Sequence, residues 1–275
     1  MLPRCPEIAR RFALAHSFDP ARPPKWDRWS TPKLNGLRAM WVPNIGFVSK
    51  DGVPYETGVL PHIEAALSTT ALWLDGELYS HGMPLQQINA RAGVIRKTPH
   101  PDHGAVQFHI FDLPAAGKGF EDRQNRIKSE LRAVLDTRGA AIQHVPFKRA
   151  SCADKAESAH VAYVSMGYEG TVYKDDGYYR AGLTDMMLKR KAWLDEDYEV
   201  VELIEGEGDG KHSNTLGAVA LRNKAGVVFK VGSFEFTDDE RLAAWAGPRP
   251  AYAKVRFMTL TDQQIPHNAR VLALY

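Results

Sequence analysis

The pattern of apolar residues changes after Trp193, and this change constrains the fold of the 275-residue chain more than any other feature. Before it, short apolar stretches alternate with segments of helical spacing. Strands are predicted at residues 38–42, 46–50, 72–79 and 106–113, and an amphipathic helix at residues 120–135. A Pro-Asn-Ile turn should join the first two strands. This mixture predicts antiparallel sheets with flanking helices, an α+β fold.

After Trp193 an acidic segment leads into an alternating strand at residues 198–204, followed by a glycine-rich loop at residues 206–210. Further strands are predicted at residues 216–222, 227–231, 252–260 and 270–274, with one short helix at residues 238–245. Five short strands with one helix are typical of a small closed β-barrel such as an OB-fold. The sequence therefore predicts two domains, at residues 1–193 and 194–275.

Composition excludes several classes of protein. With 44% hydrophobic and 25% charged residues the chain is ordinary for a globular protein. No apolar run approaches the roughly 18 residues that a membrane helix needs, and residues 1–15 lack the apolar core of a secretory signal. Two cysteines, Cys5 and Cys152, are too few for a disulfide framework or a cysteine-rich zinc site. We therefore expect a cytoplasmic protein with no membrane partner.

The net charge of +2 does not by itself indicate a nucleic-acid-binding protein, but the charge is unevenly distributed. From Asp195 onward there are 9 Lys and Arg against 13 Asp and Glu, whereas the preceding part has 26 against 20. The first part is therefore the better place for a polyanion to bind.

Five short segments carry residues suited to nucleotide chemistry. They are KLNGLR (33–38), LDGEL (74–78), FHIFD (108–112), YEG (168–170) and LKRK (188–191). A lysine becomes a nucleophile when burial or neighbouring cations favour its neutral amine, and carboxylates are suited to Mg²⁺. Each segment alone is weak, because a lysine beside a glycine turn is more often an ordinary surface residue. Their order along one chain makes them informative.

In this order the five segments closely resemble the nucleotidyltransferase motifs of ATP-dependent polynucleotide ligases, above all the small DNA ligases of viruses, phages and bacteria. Residues 226–232 and 236–241, with Trp245, are similar to the OB domain of the small viral enzymes. The resemblance implies an adenylyltransferase domain with antiparallel sheets at residues 1–193 and an OB-fold domain at residues 194–275. It also implies the cytoplasm of a phage or a bacterium.

The resemblance implies how the reaction would proceed. Lys33 would attack ATP and hold AMP, the AMP would pass to a 5′-phosphate, and a 3′-hydroxyl would then displace it. Lys189 and Lys191 would stabilise charge on the α-phosphate as pyrophosphate leaves. Arg38 would bind a ribose hydroxyl or a phosphate through its planar fork. ATP and Mg²⁺, with Mn²⁺ as a substitute, are the cofactors that we expect.

Other residues would hold the nucleotide and the metal if the resemblance extends to them. Thr31, followed by Pro32, would recognise adenine, and Phe111 would stack on it. Glu77 would lie at the ribose and the metal, and Glu169 would hold a divalent cation or steer the lysine nucleophile.

Nicked duplex DNA is the partner that the resemblance implies. Ser49 and Lys50 lie where the family has a Ser-Arg pair that contacts the 5′-phosphate of the nick, and lysine keeps the charge without the planar fork. Lys174 and Lys211 are two further expected DNA contacts. A monomer would close around the duplex as a clamp and would bind its backbone rather than read its sequence.

Two departures from the family pattern leave other functions open. Asn35 stands where DNA ligases usually have aspartate, and an amide is a poorer metal ligand than a carboxylate. Near the C-terminus, His267 and Tyr275 stand where the family has arginines, with Arg270 the only nearby cation. The first departure is compatible with an RNA ligase or another RNA nucleotidyltransferase. Both together are compatible with a nick-binding protein of weak catalytic activity.

Overall fold

The computed structural model describes residues 4–114, 117–135, 140–206, 213–261 and 263–275. It divides into two compact units, Met1–Lys191 and Ala192–Tyr275. Most of the glycine-rich loop predicted at residues 206–210 lies outside the described residues. Within them, no helix is long and apolar enough to cross a membrane.

The first unit combines two sheets with short helices. Its strands are β1 (Ala13–Ser17), β2 (Arg28–Lys33), β3 (Leu37–Val42), β4 (Gly46–Ser49), β5 (Leu74–Tyr79), β6 (Gln107–Asp112), β7 (Ile142–His144), β8 (Lys148–Ala150), β9 (Gly170–Lys174) and β10 (Gly182–Lys191). Its helices are α1 (Pro6–Ala9), α2 (Pro61–Leu67), α3 (Leu85–Ala92), α4 (Phe120–Glu130), α5 (Arg132–Leu135) and α6 (Ala153–Ser165), with a 3₁₀ turn at His103–Ala105. The strand orders are β1-β10-β9-β2-β8 and β4-β3-β5-β6-β7. Pairing is antiparallel except between β1 and β10 and between β6 and β7, and the α+β prediction is confirmed.

The second sheet of this unit, β4-β3-β5-β6-β7, contains all four strands predicted before residue 120, with small shifts at their ends. In the turn between β3 and β4, Asn44 and Gly46 have φ of 65° and 95°. Asparagine and glycine adopt this left-handed backbone at low cost, which explains the tight connection. The core between this sheet and helices α2 and α3 includes Leu74, Leu78, Phe108, Ile63 and Ile88.

The prediction of a single helix at residues 120–135 is wrong in one respect, because the structure has two helices there, α4 and α5. Helix α4 ends at Glu130, because the next residue, Leu131, has a φ of −105° and a ψ of 13° that lie outside the helical region. Ile127 and Leu131 are nevertheless fully buried, as the apolar spacing predicted. The pattern therefore identified the buried face but not the break in the backbone.

The second unit is a small β domain. Its elements are β11 (Leu194–Glu205), β12 (Leu216–Arg222), β13 (Val228–Val231), α7 (Asp238–Ala246), β14 (Tyr252–Phe257), β15 (Thr259–Leu260), β16 (Pro266–His267) and β17 (Arg270–Leu274). Helix α7 begins with a capping box between Thr237 and Glu240. The strand predicted at residues 252–260 is divided into β14 and β15, which pair with different partners.

The expected closed barrel is only partly present in this unit. The main sheet has the antiparallel order β13-β12-β11-β14-β17. Its two edges meet through one parallel bridge between Phe234 and Val271, where the Val271 carbonyl accepts a bond of 2.9 Å from the Glu235 amide. Within the described residues the edges are thus joined by a bridge rather than a ladder, because the chain after β13 leaves the extended conformation to begin α7.

Candidate active site

The register of the first sheet brings two lysines beside one glycine. In the central strands, Gly170 of β9 pairs with Lys33 of β2 on one side and with Lys191 of β10 on the other. Gly170 has a φ of 152°, and a Cβ atom there would lie 2.1 Å from the Arg190 carbonyl oxygen. Only glycine therefore permits the three strands to approach at this level.

The carboxylate of Glu169, next to that glycine, lies between the two lysines. Its side chain is only 5% exposed. One carboxylate oxygen forms an ion pair with Lys33, and Lys191 Nζ lies 3.3 Å from the other. The Glu169 amide also donates to the Lys33 carbonyl at 3.1 Å. Both oxygens of this buried anion are thus engaged by ammonium groups.

A cavity of about 450 Å³ opens beside Lys33, of a size usual for small-molecule sites. Its walls are Leu14, Ala15, Thr31, Pro32, Lys33, Leu34, Arg38, Lys50, Glu77, Phe111, Val172, Lys174, Leu183, Met187, Lys189 and Lys191. Six of these side chains are cationic and one is a carboxylate. Such an excess of positive charge around an aromatic ring suits a nucleotide with several phosphates.

The positive charges around the cavity affect the ionisation of Lys189. Burial lowers the pKa of Lys189, and the charges of Lys191 and Lys33 lower it further, whereas Glu169 opposes the shift. Lys189 therefore loses its proton more readily than an exposed lysine does.

Glu77 is the carboxylate in the cavity wall. It accepts a hydrogen bond of 3.0 Å from the Gly36 amide. Burial raises the pKa of Glu77, while Arg38 and Lys33 lower it in part. Gly36 is needed for this approach, because a Cβ atom there would lie 2.3 Å from the Leu78 carbonyl oxygen.

The predicted metal ligands differ in their surroundings. In the described parts of the chain, no three His, Cys, Asp or Glu side chains converge as a metal site. Mg²⁺ commonly takes one or two carboxylates together with phosphates and water, so Glu77 in the cavity wall fits that role. Glu169 fits it less well as found, because Lys33 and Lys191 occupy its oxygens.

Arg38 has its guanidinium fixed by a buried carboxylate. Its Nε and Nη2 atoms donate to Asp75 at 2.8 and 2.7 Å. The guanidinium also lies 4.4 Å from the centroid of the Phe111 ring, a cation–π distance. Arg38 and Phe111 thus form one unit of the wall, which the separate motifs did not predict.

Thr31 and the apolar wall complete the cavity. Thr31 is buried in β2, and its Oγ1 donates to the Val172 carbonyl at 3.4 Å. Leu14 and Leu183, which pair across β1 and β10, are 43% and 62% exposed. With Met187 they line the cavity, and sequence reasoning missed all three because no local pattern distinguishes them from ordinary strand residues.

Among the described residues, three predicted site residues lie outside the cavity wall: Glu169, whose contacts are given above, Asn35 and Ser49. Asn35 is half-buried in the loop between β2 and β3. Ser49, at the end of β4, accepts a bond of 3.1 Å from the Val53 amide through its Oγ. Its neighbour Lys50 does line the cavity, and the Lys50 side chain is 60% exposed.

The prediction of Lys174 as a DNA contact is wrong, because this side chain is buried. Lys174 is 4% exposed. Its Nζ donates to the Phe111 carbonyl at 2.9 Å and lies 3.3 Å from Asp112 Oδ2. Arg123 donates to the same Asp112 carboxylate at 2.7 Å. Lys174 is therefore a buried part of the cavity wall, with its ammonium group paired to Asp112. Lys211 lies outside the described residues.

Two residues of the C-terminal segment that departs from the family pattern, Arg270 and Tyr275, make contacts within the second unit. Arg270 lies 3.2 Å from Glu235. Tyr275 stacks on Tyr252 at 6.2 Å between ring centroids. A hydrogen bond to Asp197 is the largest cause of the raised pKa of Tyr275.

Comparison with known proteins identifies the architecture. Residues 207–274 match the family model of the DNA ligase OB-like domain. The chain is also similar to solved structures of DNA ligases along almost its whole length. A Lig E DNA ligase gives a TM-score of 0.78 at 23% identity and covers 96% of this chain and 98% of its own. No curated protein sequence matches the chain.

Two viral enzymes show the same fold with weaker similarity. Chlorella virus DNA ligase-adenylate gives a TM-score of 0.57 at 18% identity, with 97% of this chain and 98% of that chain covered. The ATP-dependent DNA ligase of bacteriophage T7, solved with ATP, gives 0.54 at 13% identity, with 98% and 100% covered. The chain therefore has the fold of DNA ligases, an α+β domain followed by an OB-like domain.

Proposed function

We propose that this protein is an ATP-dependent DNA ligase that seals nicks between a 5′-phosphate and a 3′-hydroxyl. The observation that carries the proposal is the position of Lys33, at the edge of a cationic cavity and against the buried carboxylate of Glu169. The DNA ligase OB-like match in the second unit supports the same reaction. Residues 1–193 would form the adenylyltransferase domain and residues 194–275 the OB-fold domain.

In the first step the Lys33 amine attacks the α-phosphorus of ATP, forming a P–N bond as the bond to pyrophosphate breaks. The lysine nitrogen loses one proton to water before it attacks and a second as the P–N bond forms, and Glu169, the carboxylate in direct contact with it, accepts the second. Lys189, Lys191 and Arg38 stabilise the negative charge that develops on the phosphates. The AMP then passes to the 5′-phosphate of the nick, and the 3′-hydroxyl displaces it.

The rest of the wall would bind the nucleotide. Phe111 would provide a ring for adenine, Thr31 and Pro32 of the cavity wall would help to recognise it, and Glu77 would accept hydrogen bonds from ribose hydroxyls. Glu77 would hold Mg²⁺. Glu169 would become a second ligand after Lys33 has moved away from its carboxylate. The ion would neutralise negative charge on the phosphates. Mn²⁺ has similar ligand preferences and would substitute for it.

The positive charge at the cavity also suits binding to the phosphates of DNA. Lys50 lies at the cavity and is exposed, so it and Ser49 would approach the 5′-phosphate of the nick. Lys211 remains a proposed DNA contact. A monomer would close around the duplex, and its affinity would fall steeply with salt because the contacts are to phosphates. Such an enzyme, encoded by a bacterium or by a phage, would act in DNA replication or repair in the bacterial cytoplasm.

RNA ligation is the second candidate, because Asn35 lacks the carboxylate that DNA ligases have at this position. A gel assay with ATP and Mg²⁺ on a nicked DNA duplex, beside duplexes with RNA strands at the nick, separates the two. The proposal predicts a sealed DNA product that disappears in Lys33→Ala. Sealing of RNA-containing nicks alone would establish the second candidate. Binding without a sealed product on any substrate would identify a nick-binding protein.

A further inference from the structure

Arg38 of the cavity wall forms a closed ring of hydrogen bonds with three residues that do not line the cavity, Ala13, Asp75 and Tyr179. The Tyr179 hydroxyl donates to Asp75 Oδ2 at 2.7 Å and accepts a bond of 3.1 Å from the Ala13 amide. Arg38 donates to both oxygens of Asp75 at 2.8 and 2.7 Å. Its Nη2 also donates to the Ala13 carbonyl at 3.1 Å, which closes the ring.

The carboxylate of this ring is buried, and the guanidinium lies close to two aromatic side chains. Asp75 is 0% exposed, so water does not replace a lost donor. The Arg38 guanidinium lies 4.4 Å from the Phe111 centroid and 5.6 Å from that of Phe12. Burial and the Asp75 charge raise the pKa of Tyr179 well above its usual value, so the hydroxyl stays a donor at all ordinary pH.

We infer that Tyr179 is a positioning residue for nucleotide binding, whose hydroxyl holds Asp75 and, through it, fixes the direction in which Arg38 faces the bound ATP. The inference rests on the proposed function for the identity of the ligand. Tyr179 lies outside the five sequence segments and does not line the cavity of Lys33. Its effect must therefore pass through Asp75 and Arg38. Without the hydroxyl, one Asp75 oxygen loses a donor and the carboxylate and guanidinium are free to rotate together.

The test compares Tyr179→Phe with Tyr173→Phe. Both variants keep the aromatic side chain and lose one hydroxyl, but the Tyr173 hydroxyl donates to the Ala156 carbonyl of helix α6 at 2.9 Å and has no part in the network of Asp75 and Arg38. The dissociation constant for ATP is measured without metal, and KM and kcat are measured for lysyl-AMP formation with Mg²⁺. We expect Tyr179→Phe to weaken ATP binding and raise KM about tenfold with kcat within about twofold. Tyr173→Phe should bind ATP as the unchanged protein does.

A double-mutant cycle shows whether the effect passes through Arg38. Arg38→Lys keeps the charge but cannot make the two-pronged bond to Asp75. Adding Tyr179→Phe to Arg38→Lys should cause almost no further loss of affinity. Unchanged affinity in Tyr179→Phe, or losses that multiply in the double variant, would overturn the inference. ATP binding without any lysyl-AMP in the unchanged protein would instead refute the proposed function, and the affinities would still decide the role of Tyr179.

Discussion

Lys33 and Glu169 form a direct ion pair although 136 positions separate them in the chain. The antiparallel pairing of β2 with β9 places them together, and the buried carboxylate holds the ammonium at the edge of the cavity. A carboxylate in this position fixes the lysine when it is protonated and accepts a proton when it reacts.

Glu169→Gln should therefore slow lysyl-AMP formation about 10²-fold, within the range by which positioned acids and bases contribute. The amide keeps the shape of the side chain but cannot accept the proton. Transfer of labelled AMP to the protein at saturating ATP measures the rate. Glu157→Gln is the matched control, since Glu157 pairs with Arg190 and its side chain is 55% exposed. A rate in Glu169→Gln equal to that of the control would refute the assigned role.

Lys189 gives the ATP affinity a dependence on alkaline pH. Because burial and the charges of Lys191 and Lys33 lower its pKa, Lys189 becomes neutral at a lower pH than an ordinary lysine. The cavity then loses a positive charge, and the affinity for ATP should fall. Lys189→Arg keeps its charge, so its affinity should persist to higher pH. The dissociation constant for ATP, measured against pH for the unchanged protein and for Lys189→Arg, tests this. An identical dependence on alkaline pH in both would contradict the explanation.

Gly170→Ala should destabilise the first unit by at least about 2 kcal/mol. The new methyl group would collide with the Arg190 carbonyl and would occupy an unfavourable backbone conformation. Thermal unfolding measures the effect. Gly104→Ala is the control, because nothing lies within 4 Å of a Cβ atom there. Equal melting temperatures for the two variants would show that β9 and β10 relax easily.

Stability should also fall with acid because of a partly buried histidine, His144. His144 bonds to Gln124 Oε1 at 2.9 Å, and burial, followed by Lys128 and Lys174, lowers the pKa of His144 to about 4. Between the ordinary pKa of histidine near 6.5 and that value, the unfolded chain binds a proton that the folded protein excludes. The free energy of unfolding therefore decreases as the pH falls from about 6.5 to about 4, by an amount on the order of 3 kcal/mol.

Urea unfolding at several pH values between 7 and 4 tests this prediction. His144→Gln should reduce the loss on acidification, although His109, with a pKa also lowered to about 4 by burial, continues to contribute. An unchanged pH dependence in His144→Gln would mean that His144 is not the group responsible.

Asn35→Asp should preserve or raise nick sealing. The carboxylate would restore the residue usual in DNA ligases and a better ligand for a divalent metal. Initial rates on a nicked DNA duplex across a range of Mg²⁺ concentrations measure the effect. A large loss of sealing would mean that the site depends on the amide and would strengthen the case for RNA substrates.

Local apolar patterns predicted strands β3, β4, β5 and β6 of the second sheet, but no strand of the first sheet. The strands that carry Glu77 and Phe111 are clear apolar runs, so their positions follow from neighbouring residues alone, whereas the strand that carries Lys33 reads Arg-Trp-Ser-Thr-Pro-Lys and has no such pattern. Gly170 and Gly36 were visible as glycines, but only the strand register shows which backbone atoms approach them.

The sequence could not predict contacts that depend on how distant strands align. Lys174 follows a motif and carries a charge, yet strand alternation turns its side chain toward Asp112 in the interior. Tyr179 has no local signal, and its function depends on Asp75, 104 positions away. Leu14 and Met187 join the cavity only because β1 pairs in parallel with β10.

The measurement that tests the central proposal most directly is the location of a covalent AMP adduct by mass spectrometry of peptides, after incubation with ATP and Mg²⁺. The proposal predicts one adduct, on Lys33, that is absent in Lys33→Ala and present in Lys25→Ala, where an exposed lysine is removed. The adduct should disappear when nicked DNA is added, as a sealed product forms. An adduct on another lysine, or nick sealing that survives in Lys33→Ala, would contradict it.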